Sequence, residues 1–223
     1  MRSRANADAV AGHPTNESAS RTLAGRLLTS CRDCIHGQQT RRRLRFAAPV
    51  ADFADDGDDD LLRGGPGNDG ITADHFRVSA GEIAGDGGDD RIEGGPGDDT
   101  IFGDSHGVFV TVISGADGDD EIEGGGGPDV IFGESSANQA VTRAGGNDTI
   151  IGGAGNDAEI VGDHRAANPG PSGDDALFGN SGNDGLHGDR FLDGTDSGTG
   201  NDHCDGGAGT DTAALYESVT GVP

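Results

Sequence analysis

Twelve aspartates stand in six pairs along the chain, and the two members of every pair are nine residues apart. The pairs are Asp60/Asp69, Asp90/Asp99, Asp120/Asp129, Asp148/Asp157, Asp175/Asp184 and Asp202/Asp211. Successive pairs are 30, 30, 28, 27 and 27 residues apart. A spacing held through six copies predicts one small unit stacked on itself. Because every copy offers carboxylate oxygens at the same place, the pattern favours a calcium-binding protein.

Each copy consists of two arms, which we call first and second in the order of their aspartates. In the third copy the first arm, residues 118–123, reads GDDEIE, and the second arm, residues 124–132, reads GGGGPDVIF. The second arms follow the template G-G-x-G-x-D-x-U-x, in which U is a large aliphatic residue. On these residues the chain resembles the RTX, or hemolysin-type, calcium-binding repeat family over residues 57–214.

The arms alternate tight glycine turns with short apolar strands. Glycine enters φ > 0 without a steric penalty, so a glycine-rich turn can be tight. The expected inward residues are Leu62, Ile92, Ile122, Ile150, Leu177 and Cys204 in the first arms, and Ile71, Ile101, Ile131, Ile160, Leu186 and Ala213 in the second. They predict two apolar columns as the only core of an all-β protein, a parallel β-roll or β-solenoid of about six turns.

The resemblance implies which atoms hold the metal. In RTX repeats the aspartate of the template binds calcium together with carbonyl oxygens of the glycine turn, between turns that stack on one another. Carried over residue by residue, the implied ligands are all twelve aspartates and the turn glycines Gly94, Gly95, Gly97, Gly124, Gly125, Gly127, Gly152, Gly153 and Gly155. The fourth copy departs from the template because one extra residue follows Asp157, so that Ile160 takes the inward place one position late.

A third row of acids follows the second arms. Asp74, Asp104, Glu134 and Asp189 stand five residues after the second aspartate of their copies, and Asp163 stands six residues after it. A solvated turn is the favoured interpretation of this row, and a further set of ligands is the alternative. We expect His75, His106 and His164, which lie just after these acids, to be exposed turn residues, with a transition-metal site there as the alternative. The variable stretch after the second arm is predicted to be strand in part, at residues 76–78 and 108–113. Each copy is either a three-sided turn with a degenerate third side or a two-sided roll with a bulging loop.

Charge divides the chain near residue 51. Residues 1–50 carry nine arginines and three acids, whereas residues 51–223 carry six arginines and 37 acids, a net charge of −31. We expect residues 1–50 to be a disordered basic segment, residues 51–214 the repeat domain and residues 215–223 a tail. Cys31 and Cys34 form a single C-x-x-C, which is too few ligands to indicate zinc by itself. Cys204 occupies an inward position and should be a buried thiol.

The acidity of the repeats and their scarcity of aromatic residues indicate a chain that stays unfolded without its metal. We therefore expect a Ca²⁺-binding protein that folds on calcium binding and is exported to the extracellular space. The resemblance implies a type I secretion apparatus as a partner. We expect no nucleic-acid partner and no transmembrane segment, because no apolar run is long enough.

No nucleophile-and-base constellation stands outside the repeats, so we expect no enzymatic activity. Acid pairs such as Asp98/Asp99 recur in four of the six copies, which favours a ligand or turn role over a catalytic one. The alternative functions are a structural or adhesive extracellular module, and the repeat portion of a larger secreted hydrolase or toxin.

Overall fold

The computed structural model describes residues 43–44, 53–54, 57–77, 81–84, 86–107, 110–137, 140–142, 144–165, 171–189, 200–214 and 218–220. These residues form strands, turns and bends, with no helix among them and therefore no helical membrane span in the described part of the chain. Except for β1, Arg43–Leu44, the expected disordered basic segment lies outside the described residues, as does the C-x-x-C pair.

The first arms stack into one parallel sheet. Its order is β1, β3 (Leu61–Arg63), β7 (Arg91–Pro96), β11 (Glu121–Gly126), β15 (Thr149–Ala154), β17 (Ala176–Ser181), β19 (His203–Asp205) and β21 (Ser218–Thr220). Register is kept copy to copy, with Ile122 opposite Ile92 on one side and Ile150 on the other. The two outermost strands of the sheet, β1 and β21, lie beyond the six copies.

The second arms form a six-stranded parallel sheet. Its strands are β4 (Gly70–Thr72), β8 (Thr100–Phe102), β12 (Val130–Phe132), β16 (Glu159–Val161), β18 (Gly185–His187) and β20 (Thr212–Ala214). Ile131 pairs with Ile160, so the extra residue after Asp157 is absorbed before the strand, as expected. Six stacked second arms confirm the parallel β-solenoid.

Two further sheets form where the longer copies continue past the second arm. One contains β2 (Phe53–Ala54), β5 (His75–Arg77), β9 (Ser105–Gly107) and β13 (Ser136–Ala137). The other contains β6 (Gly81–Ala84), β10 (Val110–Ser114) and β14 (Ala140–Val141). Among the described strands β2 alone pairs antiparallel, with β5. The long copies thus have four strand-forming sides, more than either interpretation of the sequence allowed.

The predicted apolar columns form the main core. Eleven of the twelve inward residues are buried, and the twelfth, Ala213, is partly buried against them. Cys204 is fully buried in the first column, as predicted. The expectation that these columns are the only core was wrong. Ile83, Ile113 and Val141 form a second cluster on the strands of an additional sheet. Phe102, Phe132 and Val161 form a third cluster on the second-arm strands, each directly after an inward residue.

Candidate metal centres

The twelve aspartates form two hydrogen-bonded ladders that run along the solenoid, together called the buried ladder. In each step the backbone N–H of one aspartate donates to Oδ1 of its counterpart in the next copy. The first-arm steps, Asp60 to Asp90 to Asp120 to Asp148 to Asp175 to Asp202, span 2.6–3.0 Å. The second-arm steps, Asp69 to Asp99 to Asp129 to Asp157 to Asp184 to Asp211, span 2.8–2.9 Å. The ladder fixes the ten carboxylates that follow Asp60 and Asp69 in the same orientation.

The second carboxylate oxygen of these aspartates, Oδ2, takes no part in the ladder hydrogen bonds. Eleven of the twelve aspartates are buried, at 7% exposure or less. Within the described residues, Oδ2 is buried and receives no hydrogen bond in Asp90, Asp99, Asp120, Asp129, Asp148, Asp157, Asp175, Asp184 and Asp211. A buried carboxylate oxygen without a donor is costly, so a row of nine calls for a compensating cation.

The residue before each buried aspartate lies in a second, exposed ladder that runs in the opposite direction. Here the later copy donates its backbone N–H to the side chain of the earlier one, as from Asn147 to Asp119 at 2.7 Å and from Asp174 to Asn147 at 2.9 Å. Beside the first arms the positions are Asp59, Asp89, Asp119, Asn147, Asp174 and Asn201, and beside the second arms Asn68, Asp98, Pro128, Asn156, Asn183 and Thr210. The second-arm series is interrupted at Pro128, because proline has neither a backbone N–H nor a side-chain acceptor. Asparagine thus alternates freely with aspartate in the exposed ladder and never enters the buried one.

The turn glycines of the second arms leave a gap beside each Oδ2. A Cβ built on Gly94 would lie 2.5 Å from the Gly124 carbonyl oxygen and 2.7 Å from Oδ2 of Asp99. One built on Gly124 would lie 2.6 Å from the Gly152 carbonyl oxygen and 2.7 Å from Oδ2 of Asp129. Carbonyl and carboxylate oxygens therefore face one cleft between successive coils, which side chains would fill.

The remaining predicted glycines shape the turn. Gly95, Gly125 and Gly153 have φ of 114°, 116° and 115°, which only glycine adopts easily. Their copy-five counterpart is Asn180, with φ of 69°. Gly97 and Gly127 also have positive φ, and the Gly127 carbonyl oxygen lies against the position where a Cβ of Gly155 would stand. All nine predicted glycines thus lie in the cleft or in the turn that forms it.

The first-arm ladder faces a different set of glycines. Oδ2 of Asp120, Asp148 and Asp175 lies against the Cβ positions of Gly103, Gly133 and Gly162, each of which directly precedes a third-row acid. Sequence reasoning missed these glycines. The available signal was the glycine-acid pair that follows the second-arm strand in the second to fifth copies.

The third row of acids is buried, so the interpretation as a solvated turn was wrong. Exposure is 1% for Asp74, 0% for Asp104 and Glu134, 1% for Asp163 and 2% for Asp189. Backbone N–H groups of the next first arm hold several of them, since Gly88 donates to Asp74 at 3.1 Å and Gly173 to Asp163 at 3.1 Å. The third row thus lies beside the first-arm aspartates and doubles the number of carboxylates there.

Burial raises the pKa of these carboxyls. The pKa of Asp90 rises to about 9 and that of Asp175 to about 8, with burial as the largest cause and neighbouring acids adding to it. In the second arms, burial raises the pKa of Asp129 and Asp157 to about 6. The first-arm ladder is the more strained electrostatically, because the third row adds negative charge to it.

The three histidines are not the exposed turn residues that we expected. His75 is 8% exposed and His164 is 1% exposed. His106 stacks between Phe76 and Phe102, at centroid distances of 5.5 and 4.1 Å, and burial lowers its pKa to about 4. His75 and His106 lie in the additional strands β5 and β9, whereas His164 lies in neither of the additional sheets.

Residues 103–107, Gly-Asp-Ser-His-Gly, match the letters of the G-x-S-x-G nucleophile motif, which sequence reasoning also missed. The motif requires an exposed serine at a strand-to-helix turn. Ser105 is 0% exposed and begins strand β9, and β10 is the next described strand. Residues 103–107 therefore do not form the nucleophile turn of a hydrolase.

The donor set suits a hard divalent cation. It consists of carboxylate oxygens and backbone carbonyl oxygens, the ligands that calcium takes six to eight at a time. Carbonyl oxygens already in the inter-coil ladder keep a second lone pair: Gly94 accepts from Gly65 N–H at 2.8 Å and can still face a cation.

Comparison with known proteins agrees with this geometry. The family model of the RTX calcium-binding nonapeptide repeat (4 copies) matches residues 82–105, 112–141, 144–158, 171–193 and 196–213. No curated protein and no solved structure matches the chain significantly. The matched stretches contain the aspartates and turn glycines of the second to sixth copies. The chain belongs to the RTX calcium-binding nonapeptide repeat family.

Proposed function

We propose that the chain is an exported calcium-binding protein whose repeat domain folds when Ca²⁺ enters the clefts between its coils. The observation that carries the proposal is the row of nine buried Oδ2 atoms without a donor. Each faces its cleft in the same orientation, because Oδ1 is held by the neighbouring copy. A bound cation supplies to Oδ2 the partner that the protein lacks.

Charge supports a link between binding and folding. Residues 51–223 carry a net charge of −31, and stacking buries many of these carboxylates in contact with one another. Two ladders with five steps each offer about ten inter-coil sites, and each ion adds two positive charges. Since the unfolded chain has no preformed sites, the free energy of calcium binding becomes free energy of folding.

Export would explain why folding is coupled to calcium binding. Extracellular calcium modules typically bind at about 10⁻⁴–10⁻³ M, far above the free calcium of a cytoplasm. With affinities of that order the chain would remain unfolded where it is made and fold outside. A type I secretion apparatus, which the family resemblance implies, would carry an unfolded chain. Fractionation of producing cells tests this step, since the chain should be found in the medium and retention inside would contradict export.

The acid clusters favour ligation over catalysis. They recur from copy to copy with the same burial and the same hydrogen bonds, whereas a catalytic pair needs to occur only once. The absence of enzymatic activity remains a prediction, to be tested by a hydrolase screen with calcium present.

Calcium-dependent circular dichroism tests the proposal. With chelator the far-UV spectrum should be that of a largely unfolded chain, and millimolar Ca²⁺ should restore the β spectrum. Mg²⁺ is the control, because it demands a small octahedral site and dehydrates reluctantly. Equal β content with calcium and with chelator would refute coupled folding, and equilibrium dialysis without bound calcium would refute the sites.

A further inference from the structure

Three departures from the repeat meet at one place between the third and fourth copies. Asp117 stands where the neighbouring copies have Gly87 and Gly145. Glu134 is the one glutamate in a third row that is otherwise aspartate. His164 stands where the two preceding copies have Ser105 and Ser135. Separate substitutions in three columns of the repeat therefore converge in space.

The three side chains form a compact buried cluster. One ligand atom of each lies within 4.8 Å of the others. Oδ2 of Asp117 is 3.4 Å from Nδ1 of His164, and these side chains are 0% and 1% exposed. Glu134 is 0% exposed. Two coils contribute, because Asp117 and Glu134 belong to the third copy and His164 to the fourth.

Neighbouring groups hold one oxygen of each carboxylate. Oε1 of Glu134 accepts the backbone N–H of Gly146, whereas the buried Oε2 receives no hydrogen bond from the described residues. Oδ1 of Asp117 accepts from the Ser135 hydroxyl at 3.3 Å, which leaves Oδ2 directed toward the imidazole. The cluster thus presents two carboxylate oxygens and one imidazole nitrogen.

This donor set differs from the calcium clefts by its imidazole. Calcium takes oxygen ligands, whereas imidazole suits zinc and other first-row transition metals. Three protein ligands also leave a coordination position for water. We propose that Asp117, Glu134 and His164 bind one divalent transition-metal ion, with Zn²⁺ as the probe, and that this ion joins the third and fourth coils. Binding through Nδ1 requires the neutral imidazole with its proton on Nε2.

The repeat supplies variants suited to the test. His164→Ser and Asp117→Gly install residues that other copies carry at the same positions, so the fold should tolerate them. His75→Ser is the matched control, because His75 follows the third-row acid of the first copy as His164 follows that of the fourth. The parent and all variants in this test carry Cys31→Ser and Cys34→Ser, which removes the N-terminal C-x-x-C as a competing zinc ligand.

Zn²⁺ is titrated calorimetrically into the full-length chain at saturating Ca²⁺, and circular dichroism of the same samples reports folding. The parent and His75→Ser should each bind one Zn²⁺ that Ca²⁺ does not displace. His164→Ser and Asp117→Gly should weaken binding at least about tenfold, the effect of losing about 1.4 kcal/mol, with unchanged β content. Co²⁺ should give visible absorption bands that His164→Ser abolishes.

Absence of Zn²⁺ uptake by the folded parent would overturn the site. Equal affinity in the parent and His164→Ser, or an equal loss in His75→Ser, would also overturn it. Failure of the calcium proposal is separate, since it would appear as β content that does not depend on Ca²⁺.

Discussion

The buried and exposed ladders occupy adjacent residues of the same turns, yet they tolerate different side chains. Both use one side-chain oxygen to accept a backbone N–H from a neighbouring copy, at 2.8 Å from Asp99 to Asp129 in the buried ladder and 3.1 Å from Asp98 to Asn68 in the exposed one. Asparagine provides that acceptor as well as aspartate does. It occurs at five exposed positions and at no buried one.

The difference shows that the hydrogen bond does not explain the buried aspartates. What aspartate adds is a charged second oxygen, and in the buried ladder this oxygen faces a cleft bordered by glycine carbonyls. Stacking alone would favour a neutral side chain at a buried position. We therefore attribute the requirement for charge to the cation that is proposed to bind in the cleft.

Lowering the pH should have the largest effect, because protonation removes the negative charge that distinguishes the buried aspartates from asparagine. A carboxyl whose pKa is raised by folding is stabilising when protonated, and the benefit is lost as pH rises from the ordinary value of 3.8 through the folded value. That value is about 6 for Asp129 and about 9 for Asp90. The calcium-free chain should therefore gain β structure as pH falls from 9 toward 4, as followed by circular dichroism.

Calcium binding should show the reverse linkage. At pH 7 the calcium-free chain is unfolded in this proposal, so its carboxyls are already ionised and calcium binding should release few protons. As pH falls toward 4 and the calcium-free chain folds with protonated carboxyls, the ions should displace protons from groups such as Asp90 and Asp175, whose folded pKa values are about 9 and about 8. Calorimetry in buffers of different ionisation enthalpy measures the protons released, and release that does not diminish as pH rises toward 7 would contradict the assignment.

Removing charge from one cleft of each buried ladder should have the next largest effect. Asp120→Asn with Asp129→Asn keeps both Oδ1 acceptors and removes the charge that binds the cation. We expect fewer bound ions by equilibrium dialysis and a loss of about 3–5 kcal/mol of calcium-dependent stability, as for breaking buried ion pairs. The matched variant, Asp98→Asn with Asp119→Asn, alters the exposed ladder alone and should retain the parental stoichiometry. An equal loss of bound calcium in the two double variants would contradict the different roles of the buried and exposed ladders.

Filling a cleft should cost less. In Gly124→Ala the new methyl group would stand 2.6 Å from the Gly152 carbonyl oxygen and 2.7 Å from Oδ2 of Asp129. Overpacking typically costs about 1–3 kcal/mol, and the calcium midpoint should rise as well. Gly126→Ala, two residues along the same strand, meets nothing nearer than 3.8 Å and should be nearly neutral in denaturant titrations. A neutral Gly124→Ala would place the ion elsewhere.

The smallest effect is expected where charge is exposed. Arg63 and Glu93 form an inter-coil ion pair at 2.6 Å, but their side chains are 43% and 30% exposed. Glu93→Gln should therefore change stability by about 0–1 kcal/mol. A loss of stability comparable to that of the buried aspartates would mean that burial does not determine how much a charged side chain contributes to stability.

Much of the fold could be predicted from the sequence because the repeat states it many times. The spacing of aspartates and the inward residues gave both columns, including the delayed Ile160, since an error in register would have broken the pattern in several copies at once. Strand was predicted at residues 76–78 and 108–113, and β5 and β10 confirm it in the described part of these segments. That such segments stack into sheets, with cores such as Ile83 against Ile113, escaped prediction because they vary in length and lack a repeated motif.

The candidate sites were predictable to the same extent. The ligand aspartates and glycines lie in the template, so their convergence followed from stacking. Burial of third-row acids such as Asp104 depends on how the coil closes behind the first arms, which local sequence does not specify. The approach of His164 to Asp117 joins residues 47 apart and follows only from the three-dimensional stack.

A crystal structure of the calcium-loaded chain, with anomalous scattering to locate the ions, tests the central claim most directly. Ions should lie in the inter-coil clefts at about 2.3–2.6 Å from Oδ2 of the buried aspartates, with glycine carbonyl oxygens completing their shells. Ions bound instead along the exposed ladder, or clefts that stay empty at saturating calcium, would contradict the account.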